Sequence, residues 1–265
     1  MSGEKKILAV IPARWASTRF PGKPLALIHG KPMIQWVAER VEKARLVSEV
    51  VVATDDMRIF NAVNKFGGRA IMTSAEHSTG TDRVAEVAET IECGIVVNVQ
   101  GDEPLIPPEN IDLVIRPLLD SSDPPVSTLM TALRDLGEMS NPDICKVVVD
   151  DSGYALYFTR APVPFDREAW SEGGHETKQN GTTSGIYGFK HIGLYAYTRS
   201  FLLRFPRLKA SRLENLEKLE QLRFLENGYS IRVTETERNS IGVDRFEDLN
   251  TIEQLLRKKN SGNKP

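Results

Sequence analysis

Residues 6–25 read KILAVIPARWASTRFPGKPL, an apolar run that stops abruptly at a basic segment punctuated by prolines. The run has the length and composition of a short buried strand. The segment after it carries Arg14, Arg19 and Lys23 among small polar residues, with Pro12, Pro21 and Pro24 stiffening it. In open α/β sheets ligands sit beyond the carboxyl ends of the strands, so this loop lies where a ligand belongs. Its cations suit a polyanion, and its prolines reduce the entropy lost on binding one. The competing reading is a solvated basic turn.

Working outward, similar apolar runs recur at EVVVAT (49–54) and GIVVNVQ (94–100). Their hydrophobicity is continuous rather than alternating, as in parallel strands covered on both faces. Between them, MIQWVAERVEKA (33–44) and DRVAEVAETI (82–91) place apolar residues at i, i+3, i+4 and i+7, predicting amphipathic helices. The fold class is α/β, a mostly parallel sheet flanked by helices. From about residue 126 the pattern turns β-rich, with VSTLMTAL (126–133), CKVVVDDSGYALYFTR (145–160) and HIGLYAYT (191–198). A single domain over 1–265, with a β-rich insertion around 126–200, is the predicted organisation. Residues 212–228 place Leu213, Leu216, Leu219, Leu222 and Leu225 three apart, predicting one helix buried over a wide face and stopped by Asn227–Gly228.

Composition excludes several classes. Lys+Arg 34 against Asp+Glu 36 leaves a net charge of -2, so no global field draws the chain to nucleic acid or an anionic membrane. The two cysteines, Cys93 and Cys145, form no zinc or disulfide pattern, and the four histidines show no HExxH. Neither GxxxxGK[ST] nor GxGxxG follows the first strand, and no serine sits in GxSxG. The N-terminus does not read as a signal peptide and no run approaches a membrane span, so a cytoplasmic location is expected.

Three further stretches carry chemistry. VVNVQGDEPLIPP (96–108) delivers Asp102 and Glu103 to the same sheet end as the basic loop. A divalent cation explains acid beside base, since Mg²⁺ takes one or two carboxylates plus phosphate oxygens; a turn role for Asp102 is the alternative. STGTDRVAEV (78–87) places small hydroxyls and Gly80 before a helix, an anion site or simply a cap. NSIGVDRFEDL (239–249) sets Asp244 after an apolar strand-like step, as a second metal ligand or a helix cap.

In order along the chain, IPARWASTRFPGKPL, VATDD, STGTDRVAEV, VNVQGDEPLIP, YALYFTRAPVPFDR, HIGLYAYT, LEKLEQLRFLENG and IGVDRFEDL closely resemble the 3-deoxy-manno-octulosonate (Kdo) cytidylyltransferases. The resemblance spans nearly the whole chain and implies a nucleotidyltransferase-type fold. It implies transfer of CMP from CTP to the anomeric hydroxyl of Kdo for lipopolysaccharide biosynthesis, with Mg²⁺ as cofactor and a homodimer joined through the β-rich middle. It assigns the nucleotide to Ala13, Arg14, Ser17, Lys23, Arg83, Gln100 and Gly101, with Lys23, Arg14, Asp102 and Asp244 as the catalytic set. It assigns the metal to Asp102 and Asp244. The sugar falls to Arg160, Arg167, His191, Tyr195, Glu220 and Gln221, with Arg160 as partner of its carboxylate. Two features depart from the family pattern: a long, Gly-rich 168–190 stretch, and Arg212 where proline is common. The alternatives weighed are an 8-amino-Kdo or sialic-acid-like acceptor, and a nucleotide-binding regulator without turnover.

Overall fold

The computed structural model describes residues 5–16, 20–119, 124–167 and 185–261. Ser17 and Arg19, and most of the 168–190 stretch, lie outside the described residues. The first strand, β1 (Ile7–Ala13), is followed by a small hairpin, β2 (Leu27–Ile28) and β3 (Lys31–Pro32), and by helix α1 (Met33–Val41). Then come β4 (Glu49–Thr54), α2 (Met57–Lys65), β5 (Ala70–Met72), α3 (Gly80–Thr90), β6 (Ile95–Asn98) and α4 (Pro108–Leu119). The next strand, β7 (Val126–Leu133), leads through the short α5 (Leu136–Ser140) to a hairpin of β8 (Lys146–Val149) and β9 (Ala155–Thr159). Long β10 (Gly188–Thr198), α6 (Arg199–Leu202), α7 (Arg212–Glu217), α8 (Gln221–Glu226), β11 (Ile231–Glu235) and α9 (Asp248–Ser261) complete the chain.

The strands form one sheet in the order β11-β7-β10-β6-β1-β4-β5, from which β8 and β9 branch alongside β10. Within that row β1 pairs in parallel with both β4 and β6, and β10 alone runs antiparallel to its neighbours β6 and β7. Strands 126–133 and 188–198 are therefore members of the central sheet, while residues 146–159 form the hairpin that projects from it. Apolar residues line both faces of the sheet. Ile34, Val37 and Val41 of α1 pack with Ile111, Val114 and Ile115 of α4 on one side. Val84, Val87 and Ala88 of α3 pack with Phe201, Leu222 and Phe224 on the other. Each of the larger of these side chains, fully withdrawn from water, contributes roughly 1.5–3 kcal/mol.

Two sequence expectations are corrected. The helix foreseen over 212–228 is broken: α7 and α8 flank Lys218, which adopts a left-handed conformation at φ 55°. A continuous helix would wind its every-third leucines around the axis. With the chain turned at Lys218, Leu219 and Leu222 are buried while Leu216 stays 65% exposed. The strand-like step before Asp244 is not a strand. Residues 239–244 run as irregular chain anchored where Val243 N donates to Asp102 O at 2.9 Å. Helix α9 begins at Asp248, whose carboxylate accepts from the amides of Asp244 and Arg245.

Candidate active site

The parallel strands β1, β5 and β6 send their following loops to one end of the sheet, and these loops build a cavity of about 470 Å³. That volume falls in the ~300–1,000 Å³ range of small-molecule sites. Ala13, Arg14 and Lys23 line it from the β1 loop, Gln100, Gly101 and Asp102 from the β6 loop, and Asp244 from the chain after β11. Ser78, Thr79 and Gly80 line it from the start of α3. Thr79 caps that helix in a reciprocal capping box with Asp82, so Asp82 serves the helix end. The backbone amides of the first turn remain a positive pole facing the cavity.

Geometry holds the loops in register. Gly101 sits so close to β1 that a Cβ there would lie 2.7 Å from the Pro12 carbonyl oxygen. The β1 loop turns at Gly22, at φ 72°, and Gly22 N donates to Trp15 O at 3.0 Å. The Trp15 ring is covered by the Arg58 guanidinium, 3.4 Å from its centroid. Arg58 is in turn paired with Asp56 at 2.6 Å.

The charges form a compact set. Lys23 Nζ donates to Asp102 Oδ2 at 2.6 Å and to Val243 O at 2.8 Å, and lies 4.0 Å from Asp244 Oδ1. Among the described residues no group of three or more His, Cys, Asp or Glu side chains converges to hold a metal. The two carboxylates about Lys23 nonetheless fit Mg²⁺, which needs only one or two beside phosphate oxygens and water. Arg83, only 4% exposed, donates to Asp55 Oδ2 at 2.8 Å and to the Thr73 hydroxyl.

A second cavity of about 400 Å³ lies beside the first. Neighbouring residues divide between the two: Asp102 and Asp244 face the first, Glu103 and Gly242 the second. Gln100 forms part of the partition, its Nε2 donating to Gly193 O at 3.2 Å. His191, Cys145 and Lys190 line the second cavity. His191 contacts the Thr128 hydroxyl at 2.9 Å, and burial pushes its imidazole down to about 3, so it is neutral in the fold. Burial likewise pushes the Cys145 thiol up to about 12. Glu103 is raised to about 7 by burial, with Asp102 adding to the shift and the Ser240 hydroxyl opposing it.

The residues expected for the sugar separate. His191 lines the second cavity, whereas Tyr195 and Gln221 are not among its lining residues and lie one contact behind it: the His191 and Tyr195 rings are 5.3 Å apart, and Gln221 Nε2 donates to the lining residue Cys145 at Sγ, at 3.6 Å. Glu220 turns instead to the Thr81 hydroxyl at the start of α3, and burial raises its carboxyl. Arg160 directs its guanidinium to the carbonyls of Glu217 and Pro142, both at 2.8 Å, bracing the hairpin against α7. Arg167 is exposed, next to the undescribed residues. Sequence reasoning gave no role to Asp55, His77 or Lys190. Asp55 follows β4 as Asp102 follows β6, so the sheet-end rule applied there would have found it.

The sequence profile of the cytidylyltransferases matches residues 8–235. A 3-deoxy-manno-octulosonate cytidylyltransferase of Geotalea uraniireducens is 54% identical over 253 residues, 96% of this chain and 100% of that protein. Its counterpart in Geobacter sulfurreducens is 54% identical over 95% of this chain and 99% of the relative. A solved CMP:2-keto-3-deoxy-manno-octonic acid synthetase complexed with CTP superposes with a TM-score of 0.86 at 42% identity, covering 96% of this chain and 99% of its own. A 4-diphosphocytidyl-2C-methyl-D-erythritol synthase from Anaerococcus prevotii shares the fold at 14% identity and a TM-score of 0.59, covering 96% of this chain and 97% of that one.

Proposed function

Because this chain belongs to the 3-deoxy-manno-octulosonate cytidylyltransferases, we propose that it transfers CMP from CTP to Kdo with release of pyrophosphate. The observation that carries the reading is the cluster of Lys23, Asp102 and Asp244 in the first cavity, whose chain neighbours Glu103 and Gly242 line the second.

The first cavity takes the nucleotide. Arg14, Lys23 and the amides at the start of α3 offset triphosphate charge. Asp102 and Asp244 would hold a Mg²⁺, which when bound further neutralises the phosphates. The second cavity takes the acceptor, and the Gln100 partition brings the two substrates edge to edge. The anomeric oxygen attacks the α-phosphorus, an O–P bond forms, the α–β anhydride bond breaks and pyrophosphate departs, the hydroxyl proton leaving to solvent. Positioning and electrostatics supply the catalysis, and no covalent intermediate with the chain is needed.

Assembly as a homodimer through the projecting hairpin belongs to the same reading. Leu156 on β9 and Leu216 on α7 are 62% and 65% exposed, on elements joined where the Thr159 hydroxyl donates to Glu217 at 2.6 Å. Equilibrium sedimentation tests it; a monomer at micromolar concentration would remove the dimer. Among the described residues no helix is long and apolar enough to cross a membrane. A cytoplasmic site of action accords with CTP as the donor, and fractionation of the cells that make the protein checks it.

The deciding experiment is pyrophosphate release with CTP and Mg²⁺, comparing Kdo, 8-amino-Kdo and N-acetylneuraminate, with ATP, GTP and UTP as donor controls. Release with CTP and Kdo is the expected result. Release only with another acceptor would replace the sugar, and release with none would leave nucleotide binding alone.

A further inference from the structure

We infer that Glu103 is a specificity-determining residue for the acceptor, its carboxylate accepting hydrogen bonds from hydroxyl groups of the sugar acid in the second cavity. The inference rests on the assignment of that cavity to the acceptor. Three observations lead to it.

The first is position. Asp102 and Glu103 are consecutive yet line different cavities, so a molecule reaching across the partition from the nucleotide meets Glu103 on its own side. The backbone there is held by a tight turn, with Glu103 N donating to Gln100 O at 3.3 Å and Ile106 N donating to Glu103 O at 3.1 Å. The same turn thus carries the partition residue and the proposed contact.

The second is incomplete pairing. Glu103 Oε2 and the Ser240 hydroxyl approach each other on this cavity; both are withdrawn from water, and among the described residues neither makes a hydrogen bond of good geometry, so the approach leaves the carboxyl incompletely satisfied. Buried polar atoms are nearly always paired, and one left unpaired costs about 1–3 kcal/mol. A carboxyl packed purely as scaffold would be expected to have found its partners within the fold. A hydroxylated ligand gives them donors.

The third is a cation on the same lining. Lys190 lines the same cavity, its Nζ held 3.1 Å from Glu138 Oε1. A cavity lined by both an acceptor group and an ammonium suits a molecule bearing both hydroxyls and a carboxylate, which is the chemistry of a sugar acid. A second phosphate chain, which carries charge and no donors, would set that charge against Glu103.

The test compares the unaltered protein with Glu103→Gln, which keeps the shape and an acceptor oxygen, and with Glu103→Ala. Pyrophosphate release is measured against Kdo at saturating CTP and against CTP at saturating Kdo. The expected result is a KM for Kdo raised about tenfold or more in the Gln variant and further in the Ala variant, with the KM for CTP within about twofold. Among monodeoxy analogues of Kdo, the one lacking the contacted hydroxyl should then be used equally by the Gln variant and the unaltered protein. An unchanged KM for Kdo, or KM values for both substrates rising together, would overturn the role of Glu103. If the Ala variant does not fold, the Gln variant carries the test. Absence of Kdo turnover in the unaltered protein would instead overturn the acceptor itself, so the two failures are distinguishable.

Discussion

Lys23 and Asp102 are 79 residues apart in the chain, yet Lys23 Nζ donates to Asp102 Oδ2 at 2.6 Å. The pairing exists because β1 and β6 are parallel neighbours, so the loops that leave them meet. It places a cation and a pair of carboxylates at one point, where charge must be balanced during phosphoryl chemistry.

Asp102→Ala should abolish Mg²⁺-dependent turnover, lowering kcat/KM by at least about 100-fold, with the far-ultraviolet circular dichroism unchanged. Titration of activity against Mg²⁺ checks this, and activity that persists would remove Asp102 from the metal site. Lys23→Ala should weaken use of CTP more than use of Kdo; unaltered nucleotide kinetics would contradict the role assigned to the basic loop.

Gly101→Ala tests how closely β6 must approach β1. The added carbon would lie 2.7 Å from the Pro12 carbonyl oxygen, a contact the backbone can relieve only by moving. A loss of about 1–3 kcal/mol in urea unfolding is expected. Activity should fall further than that loss explains, because Gln100 and Asp102 move with it.

Arg83→Met should destabilise by about 3–5 kcal/mol, since it strands the half-buried Asp55 carboxylate without its partner. Combining it with Asp55→Asn should recover part of the loss. Additive losses in that double variant would show that the two side chains do not depend on each other.

His191 gives the fold a pH dependence of known sign. Its folded value of about 3 lies below the ordinary 6.5, so the unfolded chain takes up the proton first as pH falls. The stability it contributes is complete above 6.5 and drains away between 6.5 and 3. Between pH 7 and pH 5 one such group accounts for up to about 2 kcal/mol. Urea unfolding at both pH values should show that slope, and His191→Gln should flatten it.

Lys218→Gly should raise stability by about 0.5–1 kcal/mol, because glycine takes the left-handed conformation without the steric cost of a Cβ. A lower melting temperature would mean that the Lys218 side chain makes a contribution larger than that strain.

The strands at 49–54 and 126–133 coincide with the structure at both ends, since short apolar runs bounded by polar residues read the same in isolation as in a sheet. The helix over 212–228 does not. Each of its two halves has helical composition, and the left-handed turn at Lys218 that separates them leaves no local signal in the sequence. The basic loop after β1 was legible because its residues are consecutive. The surroundings of Arg160 were not legible in the same way: its motif does not show that the carbonyls of Glu217 and Pro142 accept from its Nε and Nη1.

The sequence alone determined the α/β class, the basic loop after the first strand, the acidic turn after Gln100 and, through eight ordered blocks, the family. All of these are written in neighbouring residues, where periodicity and residue type report directly on burial and charge. Only the tertiary structure decided which loops meet. The order of strands in the sheet brings Lys23 to Asp102 and Val243, divides Asp102 from Glu103 across two cavities, and turns Glu220 toward Thr81. Those contacts span from 79 to 220 residues, and they depend on strand pairing that no local pattern encodes.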